Sequence, residues 1–246
     1  GLKKTAIKIA EELKSKGDEV LIWGERCYGA CDVKVLPGYA TLHYGHSKML
    51  DVPNVEYRPW RSDQDLIPVA SKALPLLPER LGLASTIQHS HKLPEVRNFL
   101  KEHGKEAVLV PKGPRCSEDG QILGCDLTGA LKIKDEVDAF LFIGTGMFHP
   151  LGIAYYTEKK VFRADPFTLE VEEVDATEWL KARALRQSKA AGARSFGVVV
   201  SLKPGQEQLD EAKKLCNRLE SKGFPAYIIV MDEVSPDKLL GFDVDA

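Results

Sequence analysis

Three observations predict an α/β fold made of three small, homologous parallel-sheet domains around a central site. A helix-glycine-strand segment occurs three times, the runs after the glycines are short and apolar, and two cysteines share one local context in different copies. Helices alternating with short apolar runs build parallel sheets with crossover connections. Runs that are apolar at every position suit strands buried on both faces.

Taken in order, the first copy reads as a helix from Lys3 to Lys16, a cap at Gly17, a strand over Asp18–Ile22 and a closing strand over Tyr39–Tyr44. The second has an opening strand at Leu83–Ile87, a helix ending at Gly104, a strand reaching Val110 and a closing strand at Asp138–Gly144. The third repeats the order with Ser195–Ser201, a helix over Leu209–Lys222, Gly223 and a strand ending at Val230. Glycine belongs after each helix because the left-handed C′ position costs it nothing. Short helices at Gln64–Leu77 and Ala176–Ala190 link the copies, giving domains at 1–77, 78–190 and 191–246. Val137-Asp-Ala139 leads into the closing strand of the second copy, and the same tripeptide, Val244-Asp-Ala246, ends the sequence. A closing strand and a third cysteine are therefore expected past Ala246, and an opening strand before Gly1.

A net charge of −2 over 246 residues argues against a protein that binds nucleic acid through bulk electrostatics. No apolar run approaches a bilayer span and no signal peptide is recognisable, so no membrane role is expected. Five cysteines, an odd number, fit a reducing cytoplasm better than a disulfide framework.

Function in open α/β sheets gathers in loops beyond the strand carboxyl ends. Four such loops are polar: Gly45-His-Ser47, Gln88-His-Ser-His91, Gly144-Thr-Gly-Met-Phe-His-Pro150 and Ser201-Leu-Lys-Pro-Gly-Gln206. Gly144-x-Gly146 with Asp165 imitates a dinucleotide fingerprint, but His149 followed by proline replaces the third glycine and argues against that site. The histidines leave a zinc reading open, through His43 with His46, or through His89 with His91 if these alternate along one strand. Cys216 reads as helix packing and Cys116 as a lone loop cysteine. Cys27 and Cys31, four residues apart, suit a metal clasp on one helical turn or a disulfide under oxidation. The basic run Lys181–Arg194 reads as a solvated helix face, with an acidic or ribosome-associated partner as the alternative. Cys31 in Tyr-Gly-Ala-Cys-Asp and Cys125 in Leu-Gly-Cys-Asp match one another, and soft thiolates from separate loops suit an iron–sulfur cluster or zinc.

Together, Tyr28-Gly-Ala-Cys-Asp32, Gly45-His-Ser47, Gln88-His-x-His91, Leu123-Gly-Cys125, Gly144-x-Gly-x-Phe-His-Pro-Leu-Gly152, Asp165-Pro166 and Ser201-x-Lys-x-Gly-Gln206 resemble the archaeal 2-(3-amino-3-carboxypropyl)histidine synthase family, which begins diphthamide biosynthesis. The resemblance covers essentially the whole chain. It implies three homologous domains, each giving one cysteine to a central 4Fe–4S cluster, with Cys31 and Cys125 as the first two metal ligands and Cys27 outside the pattern. It also implies noncanonical radical chemistry, in which S-adenosylmethionine yields methylthioadenosine and a 3-amino-3-carboxypropyl group that is added to a histidine of translation elongation factor 2. By position, Gln88, His89, His91, Gly144, Gly146, His149, Lys203, Gly205 and Gln206 are expected to line the S-adenosylmethionine pocket, with Lys203 facing the methionyl carboxylate. A cytoplasmic homodimer and an electron donor complete the expectation. Competing readings are a quinolinate synthase-like iron–sulfur lyase and a non-catalytic partner subunit.

Overall fold

The computed structural model describes residues 2–25 and 27–246, and three sheets organise them. Helix α1 (Leu2–Ser15) leads through an extended stretch to the parallel pair β1 (Thr41–Gly45) and β2 (Val55–Pro59), with Thr41 opposite Val55. The middle of the chain contains α2 (Ile67–Ala73), β3 (Arg80–Ser85), a 3-10 turn at Ser90–Lys92, α3 (Leu93–Glu102) and β4 (Glu106–Leu109). It continues with α4 (Thr128–Ile133), β5 (Ala139–Ile143), α5 (Phe148–Thr157), β6 (Lys160–Ala164) and β7 (Val171–Glu173). These strands form one sheet in the order β4-β3-β5-β6-β7, parallel except for β7. Helix α6 (Thr177–Ala191) precedes β8 (Phe196–Ser201), α7 (Leu209–Glu220), β9 (Ala226–Met231) and α8 (Pro236–Leu239), with β8 and β9 parallel.

The apolar runs explain the core. Every residue of β5 is buried. Leu141 and Ile143 point into one cluster with Leu83, Val69, Leu93 and Leu100, while Phe140 and Phe142 point into the opposite one with Ile122, Ile133 and Ile153. Helices thus cover both faces of the five-stranded sheet, as its unbroken apolar pattern requires.

The three glycine caps are the same device. Gly17, Gly104 and Gly223 have φ of +93°, +75° and +84°. In each case the residue after the glycine donates its N–H to the carbonyl five residues back: Asp18 to Leu13, Lys105 to Leu100 and Phe224 to Leu219. The glycine N–H itself bonds to the carbonyl three residues back, which completes a Schellman motif three times over.

The run after Gly17 does not form the expected strand. Leu21, Ile22 and Trp23 are more than half exposed. The reason is pairing: β4 and β9 pair with β3 and β8, which precede their helices, and no strand precedes α1 among the described residues. Strands β2, β6 and β7 go beyond the sequence expectation. β2 alternates polar and apolar residues and ends at a proline, which suits an edge. β6 carries Arg163 in its middle, buried because Asp165 and Glu172 accept its guanidinium.

Candidate functional site

Cys31 sits in a turn, not a helix, closed by the Asp32 N–H donating to Gly29 O at 3.0 Å. Cys27 is exposed and Cys31 buried, so the two do not share the helical turn their spacing suggests. Asp32 is almost fully buried. Its carboxylate faces the Lys34 ammonium at 3.0 Å and the Lys203 ammonium at 3.3 Å, and accepts the Tyr28 N–H at 3.3 Å. Burial acts to raise the Asp32 pKa, but the hydrogen bond from Lys34, the Tyr28 N–H and the charge of Lys203 outweigh it and hold the carboxyl below its usual range. Lys203, expected to meet a substrate carboxylate, thus already meets that of Asp32, and its ammonium lies 4.0 Å from the Tyr28 ring centroid. Tyr28 in turn donates its hydroxyl to Glu233 at 2.7 Å. A shallow cleft opens here between Tyr28, Ser201, Lys203, Gln206, Asp232 and Glu233.

The loop after β8 closes onto Cys31. The Gly205 N–H donates to Cys31 O at 2.9 Å, and the Gln206 side-chain amide donates to Cys31 Sγ at 3.2 Å. The approach is so close that a Cβ on Gly205 would lie 2.5 Å from that of Cys31 and 2.6 Å from its Cα. Arg115 extends the contact to the middle sheet by donating to Gly205 O at 3.2 Å.

Cys125 is built in a similar way. The next residue, Asp126, is buried and accepts the backbone N–H groups of Arg115 at 2.7 Å and Thr128 at 3.1 Å. An aspartate therefore anchors each cysteine loop, one position after the cysteine. The shared Cys-Asp pair was the signal in the sequence, although the aspartates were not among the expected site residues. Arg115 also escaped prediction, since nothing local marks it. Gly124 lets the Phe148 ring at the start of α5 press against the Cys125 loop. Neighbouring His149 stacks on Phe142 with centroids 5.9 Å apart, and burial pushes its pKa down to about 4. Cys116 is near but differently placed: burial first, then the Asp126 carboxylate, pushes its thiol up to about 12.

The remaining predicted residues scatter more widely. Gln88 is half-buried and its carbonyl accepts the Ser62 N–H at 2.8 Å. His89 is buried with its Nδ1 lacking a hydrogen-bond partner among the described residues, its ring 5.8 Å from that of Phe167. His91 is exposed. These two histidines lie at the 3-10 turn rather than on a strand, so they do not share a face. Gly144 is buried at the end of β5, whereas Gly146 has φ of +75° and open space beside it. Asp165 caps its own turn through the Phe167 N–H and pairs with Arg163, which occupies the carboxylate a dinucleotide ribose would need.

Contacts therefore run from Cys31 through Gly205 and Arg115 to the Asp126 anchor beside Cys125. The donor chemistry fits an iron–sulfur cluster: two thiol-bearing loops from different parts of the chain, with the nearby carboxylates already engaged by lysines and backbone.

Fold and site together define an α/β protein whose separate parallel sheets send cysteine-bearing loops to a shared place. The profile of the family described as "Putative diphthamide synthesis protein" matches residues 1–246. This chain belongs to that family. It is 36% identical to the 2-(3-amino-3-carboxypropyl)histidine synthase of Pyrococcus horikoshii, aligning over 100% of this chain and 74% of that protein. Its identity to the same-named protein of Methanocaldococcus jannaschii is 30%, over 99% of this chain and 71% of that one. Among solved structures it resembles Dph2 from Pyrococcus horikoshii with a 4Fe-4S cluster, with a TM-score of 0.86 and 35% identity, covering 99% of this chain and 74% of that one. No described helix is long and apolar enough to cross a membrane.

Proposed function

We propose that the protein transfers the 3-amino-3-carboxypropyl group of S-adenosylmethionine to a histidine of translation elongation factor 2, by radical chemistry dependent on a 4Fe–4S cluster. The observation that carries this reading is the pair Cys31 and Cys125, each followed by a buried anchoring aspartate and joined through Gly205 and Arg115. The names of the relatives support the group transferred, and the cluster in the Pyrococcus horikoshii structure supports the cofactor. Cys31 and Cys125 would hold the cluster as thiolates, and the cluster, when bound, supplies the electron that cleaves the sulfonium.

The chain's own groups have separable tasks. Asp32 and Asp126 fix the loops of the two cysteines. The Gln206 amide donates to Cys31 Sγ and so withdraws charge from that sulfur. His89, whose buried Nδ1 has no hydrogen-bond partner among the described residues, and the Gly144–His149 loop would orient the sulfonium substrate and exclude water. We assign the three sheets to three homologous domains, and the protein to a cytoplasmic homodimer served by an electron donor.

The test is anaerobic. Cluster-loaded full-length protein is reduced with dithionite and mixed with S-adenosylmethionine and unmodified elongation factor 2. Methylthioadenosine together with a gain of one aminocarboxypropyl group on the factor is expected, and both should disappear in Cys125→Ala. Cleavage without modification of the factor would refute the acceptor. Neither product from protein with full cluster absorbance would move the reading to a non-catalytic partner subunit.

A further inference from the structure

Beside the Cys31 loop lies a second group of donors that the proposed reaction does not use. Cys27, His43 and His46 each place one ligand atom within 4.8 Å of the other two. His43 Nε2 and His46 Nδ1 are 3.1 Å apart. Two nitrogens bound at about 2.0–2.1 Å to one tetrahedral zinc lie roughly 3.3 Å from each other. His43 projects from β1 and is buried, with its ring 5.2 Å from that of Tyr57, so packing fixes its direction. His46 follows the last residue of β1, and Cys27 comes from the loop that leads into Cys31.

The geometry points to a zinc site formed by Cys27, His43 and His46, with a fourth position open to water. One sulfur and two imidazole nitrogens form a borderline donor set. Calcium and magnesium want oxygen, whereas iron–sulfur clusters want mostly thiolate. The Cys27 thiol donates to Gly29 O at 3.5 Å and Asp32 O at 3.7 Å, and zinc would displace that proton to solvent as the thiolate binds. The ion would pin the loop entering Cys31 to the end of β1. This role is one of positioning, outside the transfer chemistry. The rival explanation of the short N···N distance is a hydrogen bond between two neutral imidazoles, which needs no metal.

Zinc and iron are measured together by mass spectrometry on cluster-loaded full-length protein that has been equilibrated with zinc chloride and desalted. About one zinc per chain is expected in the wild type and in Cys125→Ser. Zinc should fall at least tenfold in Cys27→Ser and His46→Gln while their iron content stays at the wild-type value. X-ray absorption at the zinc edge of the wild type should show one sulfur at about 2.3 Å with nitrogens at about 2.0–2.1 Å. That spectrum decides the matter alone if a variant fails to fold. No zinc in the wild type, or a sulfur-only shell, overturns the site. Loss of iron rather than zinc from Cys27→Ser also overturns it, because Cys27 would then belong to the cluster.

Discussion

Asp32 and Lys203 form a buried ion pair between the first and third parts of the chain, and its two halves are not equivalent. Asp32 also has Lys34 and the Tyr28 N–H, whereas among the described residues Lys203 has its ion pair with Asp32 and its contact with the Tyr28 ring. Removing one partner of a buried pair typically costs about 3–5 kcal/mol. Asp32→Ala should fall in that range by urea denaturation, and Lys203→Met should cost clearly less. Equal losses would show that Lys34 does not share the charge. His149 carries a second prediction. Burial holds its pKa near 4, below the ordinary 6.5, so the unfolded chain binds the extra proton first on acidification. Its contribution to stability is therefore complete above pH 6.5 and is lost as the pH falls toward 4. The shift corresponds to at most roughly 3 kcal/mol, less because the ring keeps some solvent contact. The melting temperature of the wild type should fall relative to that of His149→Phe through that window, and parallel curves would sink the idea. The likeness of the two cysteine loops was legible in the sequence because a repeated Cys-Asp dipeptide marked it. The ring of contacts around them could not, since Arg115 meets Gly205 across 90 positions of chain.

At the scale of elements, the helix caps were the most legible feature. A left-handed C′ residue is a local requirement, so Gly17, Gly104 and Gly223 announce three helix ends without any tertiary knowledge. Alanine at Gly104 or Gly223 should cost about 1–2 kcal/mol by thermal or chemical denaturation, purely from backbone conformation, since nothing lies within 4 Å of an added Cβ. Asparagine should recover part of that loss. Strands were less legible because a strand exists only with its neighbour. The Asp18–Ile22 run carries the same local sequence signal as β4 and β9, yet it stays single. His89 and His91 misled for a related reason: the alternation rule holds on a strand, and the chain had already turned into a 3-10 helix.

Across the whole molecule, apolar packing is uneven. Both buried clusters lie within the middle third of the structure, built on β3, β5 and β6. The outer sheets have two strands each and meet the middle through polar links. Gln121 donates to Ser47 at 2.9 Å, Arg61 grips Glu118 at 2.8 and 2.6 Å, and Arg115 reaches Gly205. A two-stranded sheet is marginal by itself. Native-state hydrogen exchange should therefore show the slowest amides at Leu81–Ala84, Ala139–Ile143 and Val161–Ala164. Faster exchange is expected in β2 and β9, and the fastest in α6, where no side chain is buried. Uniform protection across the three sheets would mean that the polar links couple them as tightly as a shared core. The repeated pattern of apolar runs announced helices and strands, but not that the buried clusters concentrate on one of three sheets.

The close approach of Gly205 to Cys31 can also be stated in the terms of heredity. Every missense change at a glycine codon adds at least a Cβ, and here that atom has no room beside the cysteine backbone. A saturating library selected for diphthamide formation should therefore show no tolerated replacement at this codon. The codons for Gly104 and Gly223 should admit asparagine, and possess a graded spectrum instead of an empty one.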